Sequence, residues 1–319
     1  MPNHELQKRA SSSSRAKRGI CFFFALALLT AAHSVAAQTS PRPKITRIDH
    51  VVFYSSDLKS ASDFYGTKLA LNVGGSGCRE TLRTCFTVNW ASRQHIELEP
   101  SNHCSSGNCL KEIVFETGNA RKLRSYLMAK GFKVDPISKA RDLSLLFGLQ
   151  DPEGHRIAFV QFPLIGIDDL PPGVRVGPSF LHAGFIVHDR ERMERFYKDI
   201  LGFRSYWHGG MKDDETNWVS LQVPDGSDWI EFMLNIPDNA DKRLRGIMNH
   251  IALGVGDIHA AQEQLRKNGA PLTEESKIGR DGKWQLNLYD PDGTRVEFME
   301  FTPVQKPCCS EFTAPHPKP

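Results

Sequence analysis

A unit that occurs four times constrains this chain of 319 residues more than any other feature. Each copy begins with a short apolar strand and continues, after an Asp or Asn, into a helix. Such a side chain accepts hydrogen bonds from the first free amides of a helix and so predicts where the helix starts. Recurrence of the same elements in the same order indicates a chain built from related modules. The predicted capping residues are Asp57 and Asp189; in the other two copies the helix follows Asn119 and Asp257.

The four copies fall into two kinds. Two of them share a strand histidine and a Phe-Tyr pair in the helix, at His50 with 64–65 and at His182 with 196–197, an offset of 132 in both features. The other two end their helix at Gly131 or Gly269, where a left-handed backbone is expected. They then turn through Asp-Pro-Glu-Gly (151–154) or Asp-Pro-Asp-Gly (290–293), which are turn sequences that lead into a closing strand.

The order strand, helix and two or three further strands predicts an α+β fold of four modules. The modules group into two halves, because a segment rich in Pro and Gly separates the second from the third. We therefore expect a first domain over 45–162, a linker over 163–178, a second domain over 179–302 and a tail over 303–319 that contains Pro and Cys.

Residues 1–37 have the layout of a secretory signal peptide. Five basic residues and one acid precede the apolar run Ile20–Leu29, and small residues precede Gln38. A bilayer-spanning helix needs about 20 apolar residues, so we predict export to the periplasm or medium, with an uncleaved anchor as the alternative. The rest of the chain holds 35 Lys and Arg against 36 Asp and Glu. The formal charge of +3 therefore belongs to the leader, and we expect neither a nucleic acid nor a membrane partner after its removal.

Six cysteines lie outside the leader. Four of them are spaced as Cys78-x6-Cys85 and Cys104-x4-Cys109, whereas zinc sites usually show tighter C-x2-C pairs. Export to an oxidising compartment favours disulfides, so we predict two local disulfides here. Cys308 and Cys309 are adjacent in the tail, and their partners stay open.

These features resemble the vicinal oxygen chelate superfamily, which includes glyoxalase I, extradiol dioxygenases and bleomycin-resistance proteins. The resemblance rests on the strand histidines, the Phe-Tyr helix and the Asp-Pro-Asp-Gly turn before Glu297, and it covers about residues 45–302. It implies βαβββ modules that pair into cup-shaped mixed sheets around one divalent metal ion. Imidazole and carboxylate ligands suit Ni, Zn, Fe(II), Mn or Co.

Strand alternation and the resemblance together select the candidate site. In the strand 228–234, Glu231 faces away from the apolar Ile230 and Phe232. A carboxylate on an inward face is costly without a partner. The candidate metal ligands are His182, Glu231, His250 and Glu297, with Glu231 and Glu297 also as proton-transferring groups; the candidate pocket residues are Trp229, Met233, Trp284 and Tyr289.

The first half keeps this pattern only in part. His50 and Glu97 stand at ligand positions, but Glu112 replaces a histidine and Ala158 replaces the last glutamate. If each half closes on itself, the complete set lies in the second half. If the first module pairs with the fourth, the set becomes His50, Glu97, His250 and Glu297. We prefer halves that close on themselves, because the linker indicates a domain boundary.

Three functions stay open. The resemblance and the two-His, two-Glu set favour a glyoxalase-like lyase or isomerase, in which a metal stabilises an enediolate and a glutamate moves the proton. An extradiol dioxygenase would use His182, His250 and Glu297, although the segment 281–284 lacks the family's histidine. A binding protein without chemistry is the third. In each case the partner is a small molecule and the protein a monomer or homodimer. The sequence has no HExxH, G-x-S-x-G or phosphate-loop motif.

Overall fold

The computed structural model describes residues 41–74, 83–89, 92–140, 142–163 and 179–319. Residues 40–319 form one compact unit. The predicted signal peptide and the segment 164–178 of the predicted linker lie outside the described residues, so both stay predictions. Within the described residues, no helix has the length and apolar character that crossing a bilayer requires.

The first sheet of the described chain is mixed and has eight strands. It comprises β1 (Ile45–Ser55), β2 (Asn72–Val73), β3 (Thr84–Asn89), β4 (Gln94–Pro100), β5 (Leu110–Thr117), β6 (Ser138–Lys139), β7 (Leu145–Gln150) and β8 (Arg156–Gln161). The strand order is β2-β3-β4-β1-β5-β8-β7-β6. We call this sheet the first cup.

The second sheet repeats that plan. It comprises β9 (Ser179–Ile186), β10 (Arg204–Gly209), β11 (Trp218–Gln222), β12 (Trp229–Met233), β13 (His250–Val255), β14 (Lys277–Ile278), β15 (Trp284–Tyr289) and β16 (Arg295–Glu300). The order is β10-β11-β12-β9-β13-β16-β15-β14. We call it the second cup. In each sheet the first strands of two consecutive modules are antiparallel neighbours at the centre, so each half closes on itself as the sequence favours.

Four of the described helices begin directly after the Asp or Asn residues that the sequence singles out, whereas the helix that starts at Lys242, after Asp241, was not predicted. The helices are α1 (Leu58–Ser62), α2 (Ala120–Ala129), α3 (Arg190–Glu194), α4 (Lys242–Met248) and α5 (Ile258–Lys267), with π-helical continuations Asp63–Lys68 after α1 and Arg195–Ile200 after α3 and a short 3₁₀ helix, Asn102–Ser106. Asp57, Asn119, Asp189 and Asp257 each accept a hydrogen bond from a first-turn amide. The backbones of Gly131 and Gly269 are left-handed, with φ of 88° and 71°. The predicted caps and helix ends are confirmed.

The two recurring motifs meet across the halves. The Tyr65 hydroxyl donates to Asp290 Oδ2 at 3.1 Å, and the Tyr197 hydroxyl donates to Asp151 Oδ2 at 3.2 Å. The other oxygen of each aspartate accepts two backbone amides of its own turn. The Phe-Tyr helix of one half is therefore tied to the Asp-Pro turn of the other, twice, with all four side chains buried. Aromatic rings of the two halves also touch: the ring centroids of Phe115 and Phe203 are 5.4 Å apart.

The cysteines follow the prediction in part. Cys104 and Cys109 form a disulfide, as predicted. Cys85 is also disulfide-bonded, while Cys78 lies outside the described residues. Cys308 and Cys309 are free thiols.

Candidate functional site

Four adjacent strands of the second cup bring the candidate ligands to one face. β9 and β13 are antiparallel, with His250 opposite Gly184 and Ala252 opposite His182. β12 runs parallel to β9 with Glu231 beside Gly184, and β16 runs parallel to β13 with Glu297 beside Ala252. Because side chains alternate between faces, the four candidate ligands are diagonal neighbours on the same face. We call His182, Glu231, His250 and Glu297 the four-residue centre.

The donor atoms of the four-residue centre point at one another. The Nε2 atoms of His182 and His250 are 3.0 Å apart. Glu231 Oε2 lies 3.7 Å from the first and 3.6 Å from the second of these atoms. Glu297 Oε2 lies 3.9 Å from both. The two glutamates therefore flank the histidine pair on one face of the sheet, Glu231 from the strand β12 and Glu297 from the strand β16.

These spacings fit a divalent metal ion. Two ligand atoms bound at about 2.1 Å are about 3.0 Å apart at a right angle and about 4.2 Å apart when opposite. All five distances lie within that interval. His250 donates its Nδ1 proton to Met248 O at 3.1 Å, so its Nε2 atom carries the lone pair that could bind a cation; in this structure Arg295 Nη2 lies 2.6 Å from that Nε2 atom. His182 Nδ1 is buried with no partner among the described residues. The donor set is of the mixed imidazole and carboxylate kind that Zn, Ni and Fe(II) accept.

The electrostatics of the four-residue centre favour its neutral forms. Burial, and then the nearby Glu297, raise the pKa of Glu231 to about 8. Burial raises the pKa of Glu297 to about 7, against the lowering effect of Arg295. Burial and then Arg295 lower the pKa of both histidines well below its usual range. The described protein groups supply too little positive charge to keep both carboxylates ionised here. A bound cation would therefore stabilise their ionised forms.

Small residues beside the two histidines make room for their imidazole rings. A Cβ atom at Gly184 would overlap the imidazole of His250. Ala252 is fully buried between the ligand-bearing strands. Any larger side chain at position 184 would push the His250 ring away from His182.

A cavity of about 650 Å³ opens onto the four-residue centre. Its lining includes His182, Glu231 and Glu297, with Trp229 as the one predicted pocket residue that the cavity reaches. Trp284 lies on the opposite face of β15, in contact with the core and with His259. Positions 284 and 289 differ by five and so cannot share a strand face; the cavity face of β15 carries Gln285 and Asn287 instead.

The two remaining predicted pocket residues lie at strand ends, away from the cavity lining. Met233 is the last residue of β12, is buried and pairs with Trp218. Tyr289 is the last residue of β15 and donates its hydroxyl proton to Glu274 at 3.1 Å. Alternation gives the face of a residue, but not how far along the strand the cavity extends.

The tail forms part of the cavity wall, which sequence reasoning did not anticipate. Phe312 packs on Tyr206, and His316 Nδ1 is 2.7 Å from the Tyr206 hydroxyl. The indole of Trp207 donates to Cys308 O at 3.2 Å. Cys308 and Phe312 both line the cavity. No local pattern of a Pro-rich tail indicates such docking.

Lys283 is a second feature that sequence reasoning missed. Its side chain is fully buried, with the ammonium 4.6 Å from the centre of the Trp229 ring and 5.2 Å from that of Phe312. Nζ also donates to the Tyr206 hydroxyl at 3.3 Å. Burial lowers the pKa of Lys283 to about 8, against the opposing effect of Asp281. The aromatic cage thus holds a cation between the tail and the cup.

The first cup does not join this centre. His50 and Glu97 lie in the first sheet, with His50 Nε2 3.9 Å from Glu97 Oε1. Glu97 also accepts hydrogen bonds from His95 at 3.2 Å and from Arg83 at 2.6 Å. Burial alone would raise the pKa of Glu97, but His50, His95 and Arg83 outweigh it and hold that pKa far below its usual range.

The rest of the first cup is closed to the same arrangement. Ala158 packs with Val114 and Val160 in an apolar cluster, and Glu112 pairs with Arg156 at 3.0 Å. Donor atoms of Asp49, His50 and His95 also lie within 4.8 Å of one another, but His50 Nδ1 is already 2.6 Å from Asp49 Oδ2. Protein cations thus neutralise the carboxylates in this half.

Comparisons with known proteins agree with the fold and with the second half. The family model described as glyoxalase/bleomycin resistance protein/dioxygenase superfamily matches residues 179–298. The lactoylglutathione lyase of Haemophilus influenzae is 33% identical over 124 residues, which cover 38% of this chain and 92% of that protein.

Solved structures match most of the chain. The 2,3-dioxygenase LapB from Pseudomonas sp. KL28 matches with a TM-score of 0.62 and 16% identity, covering 87% of this chain and 95% of that one. A catechol 2,3-dioxygenase matches with a TM-score of 0.58 and 18% identity, covering 82% and 96%. At these identities the likeness concerns the fold. The family model and the lyase relative, together with the paired modules, establish that the chain belongs to the glyoxalase/bleomycin resistance protein/dioxygenase superfamily.

Proposed function

We propose that the second cup is the active centre of a glyoxalase-like lyase or isomerase that acts on a small molecule with two vicinal oxygens. The observation that carries this proposal is the convergence of two imidazoles and two carboxylates within 3.0–3.9 Å, beside a cavity whose lining includes three of these four side chains. The name of the lyase relative, which aligns with one half of the chain, supports the reaction class. Export of the protein belongs to the same proposal and rests on the leader sequence alone.

The donor set would hold one divalent ion, with His182 and His250 as neutral ligands. When bound, such an ion supplies a Lewis acid that polarises the substrate oxygens and offsets the negative charge developing on them. The two histidines keep their Nε2 atoms directed at one point because β9 and β13 are hydrogen-bonded neighbours.

Glu231 and Glu297 are the groups that would move the proton. Burial brings the pKa values of these two carboxyls to about 8 and about 7 without a metal ion; a bound cation would lower both, so that each carboxylate would be ionised and able to accept a proton as a general base. They lie on β12 and β16, on either side of the histidine pair, so one can remove a proton from a carbon and the other can deliver one to its neighbour. Ser220 donates to Glu231 Oε1 at 3.3 Å and orients it.

The aromatic wall would exclude water from the proton transfer. Trp207, Trp229 and Phe312 line the cavity around the centre. Removing water strengthens each charge interaction inside the site and protects a reactive carbanion-like species from the wrong proton source.

The test is isomerisation of a hemithioacetal formed from a 2-oxoaldehyde and a small thiol, measured as thioester formation with protein loaded with Zn or Ni. We expect Glu231→Gln and Glu297→Gln each to lower kcat at least about 100-fold, because proton transfer contributes about that much. Glu194→Gln on the far helix α3 is the matched control and should retain activity. Turnover that survives both site substitutions would contradict the proposal.

A ring-cleaving dioxygenase is the second candidate, favoured by the fold match with a catechol 2,3-dioxygenase over 82% of this chain and 96% of that one. Oxygen consumption with catechol by protein loaded with Fe(II) separates the two. Oxygen uptake without hemithioacetal isomerisation would replace the lyase by the dioxygenase.

A further inference from the structure

Arg295 is a cation beside the four-residue centre that no step of the proposed reaction uses. It lies on β16 two residues before Glu297, and therefore on the same face. Its side chain is 15% exposed. Nη2 is 2.6 Å from His250 Nε2, whereas the Glu297 carboxylate is 3.9 Å away, beyond hydrogen-bonding distance. Its Nε is buried and has no hydrogen-bond partner among the described residues.

The other described cations around the cavity differ from Arg295, because each has a nearer carboxylate partner or an aromatic cage. Lys283 sits in its aromatic cage with a hydrogen bond to Tyr206. The cations at the mouth have carboxylate partners: Lys277 with Glu274, Arg280 with Asp213, and Lys306 with Glu311. Among these described cations, Arg295 is the one whose guanidinium contacts a residue of the four-residue centre.

Binding of a cation at the four-residue centre takes away the acceptor that Arg295 now uses. His250 Nδ1 donates to Met248 O, so Nε2 offers a single lone pair. When a metal ion takes that lone pair, Nη2 must find another acceptor, and Nε has none to begin with. A buried guanidinium with two unmet donors is costly, and its fork matches two oxygens of one anionic group.

We propose that Arg295 binds the negative charge of the substrate, by donating to an anionic oxygen of a vicinal-oxygen molecule held at the four-residue centre. The substrate class is then a small carboxylate with a hydroxyl or carbonyl on the next carbon, or a neutral precursor that becomes anionic there during the reaction. This inference rests on the proposed function and deepens it. Arg295 is a specificity-determining residue in this account.

The electrostatics of the centre agree with that role. After burial, Arg295 is among the largest influences on the pKa of all four residues of the centre. A fixed cation so close to the ligands also repels a metal ion. Arg295 should therefore weaken metal binding while strengthening the binding of an anion.

The experiment compares Arg295→Met with the wild-type protein in two titrations. In the first, zinc is titrated into the chelator-treated protein against a competing indicator, which gives the zinc Kd. In the second, lactate and its neutral amide, lactamide, are titrated into the zinc-loaded protein, and calorimetry gives the Kd of each. We expect Arg295→Met to lower the zinc Kd at least about 5-fold, because a repelling charge is removed. We expect the preference for lactate over lactamide to fall at least about 10-fold, because charge-assisted hydrogen bonds are lost.

Two further variants keep the result interpretable. Arg280→Met removes a guanidinium that lines the same cavity but is paired with Asp213, and should change neither the zinc Kd nor the lactate preference. Arg295→Lys retains the charge without the fork, so the zinc Kd should stay near the wild-type value while part of the lactate preference is lost. If Arg295→Met does not fold, Arg295→Lys carries the comparison.

The outcomes separate this inference from the proposed function. The role of Arg295 alone is overturned if the wild-type protein binds zinc through His250 and Arg295→Met either keeps the wild-type lactate preference or binds zinc more weakly than the wild type. Wild-type protein that binds no zinc overturns the proposed function, and the role of Arg295 with it.

Discussion

The raised pKa values of Glu231 and Glu297 make the stability of the metal-free protein depend on pH. The folded state holds these protons up to about pH 8 and about pH 7, whereas an unfolded chain releases them near 4.5. Between those values the folded state binds more protons than the unfolded state, so the free energy of unfolding falls as pH rises. The stabilisation is fully present below about pH 4.5 and is lost as pH passes through 7 and 8.

Urea unfolding in the presence of a chelator at several pH values checks this prediction. Asp228 and Asp290 are also buried with raised pKa values, so the double variant Glu231→Gln, Glu297→Gln isolates the contribution of the centre. We expect a smaller loss of stability with pH in the double variant than in the wild type. Equal slopes would show that these carboxyls are ionised in the folded apoprotein.

Glu97 in the first cup should matter for stability and not for metal binding. It is buried against Arg83 and His95, so Glu97→Gln removes the carboxylate that His95 contacts, while Arg83 keeps Glu99 at 2.9 Å. Breaking a buried pair in this way costs about 3–5 kcal/mol, to be measured by urea unfolding. Glu112→Gln is the matched control, because the Glu112–Arg156 pair is partly exposed and such pairs contribute about 1 kcal/mol or less. A second-half metal site that disappears in Glu97→Gln would contradict the separation of the halves.

Among the elements, β9 carries the tightest steric requirement of the site. Gly184 faces the His250 ring, and a Cβ atom there would overlap it. We therefore expect Gly184→Ala to move His250 out of line with His182 and to weaken zinc binding at least about 10-fold. Gly118→Ala, where a Cβ atom would meet only the Lys44 side chain at 3.9 Å, is the control. Unchanged zinc affinity in Gly184→Ala, with folding verified by circular dichroism, would show that the ring can shift at no cost.

Local rules on the elements explain what the sequence could predict of the site. Side-chain alternation predicted that Glu231 faces away from Ile230 and Phe232, and these two residues are fully buried in the core. It could have found Arg295, which is two residues from Glu297 on the same strand. Trp284 and Tyr289 could not both face one cavity, and their spacing already contained that information. The extent of a cavity along a strand depends on neighbouring elements, so no local pattern defines it.

Across the whole molecule, the fourfold repeat predicted two paired-module cups, but not what holds them together. The ties from Tyr65 to Asp290 and from Tyr197 to Asp151 join residues more than 40 positions apart. The sequence showed both motifs and gave no sign that they meet. The docking of the tail on Tyr206 and Trp207 is likewise a long-range contact. The two cups differ because the first has Ala158 in place of a ligand and Arg83 paired with Glu97. Of these two residues, only Ala158 was noticed in the sequence.

The central claim is that the chain holds one divalent ion, in the second cup. The direct measurement is the metal content and zinc Kd of the purified protein and of His182→Ala, His250→Ala and His50→Ala variants. We predict one ion per chain in the wild type and in His50→Ala, and none in the other two. Metal lost from His50→Ala and retained in His182→Ala, or a wild-type protein that binds no zinc, would contradict the account.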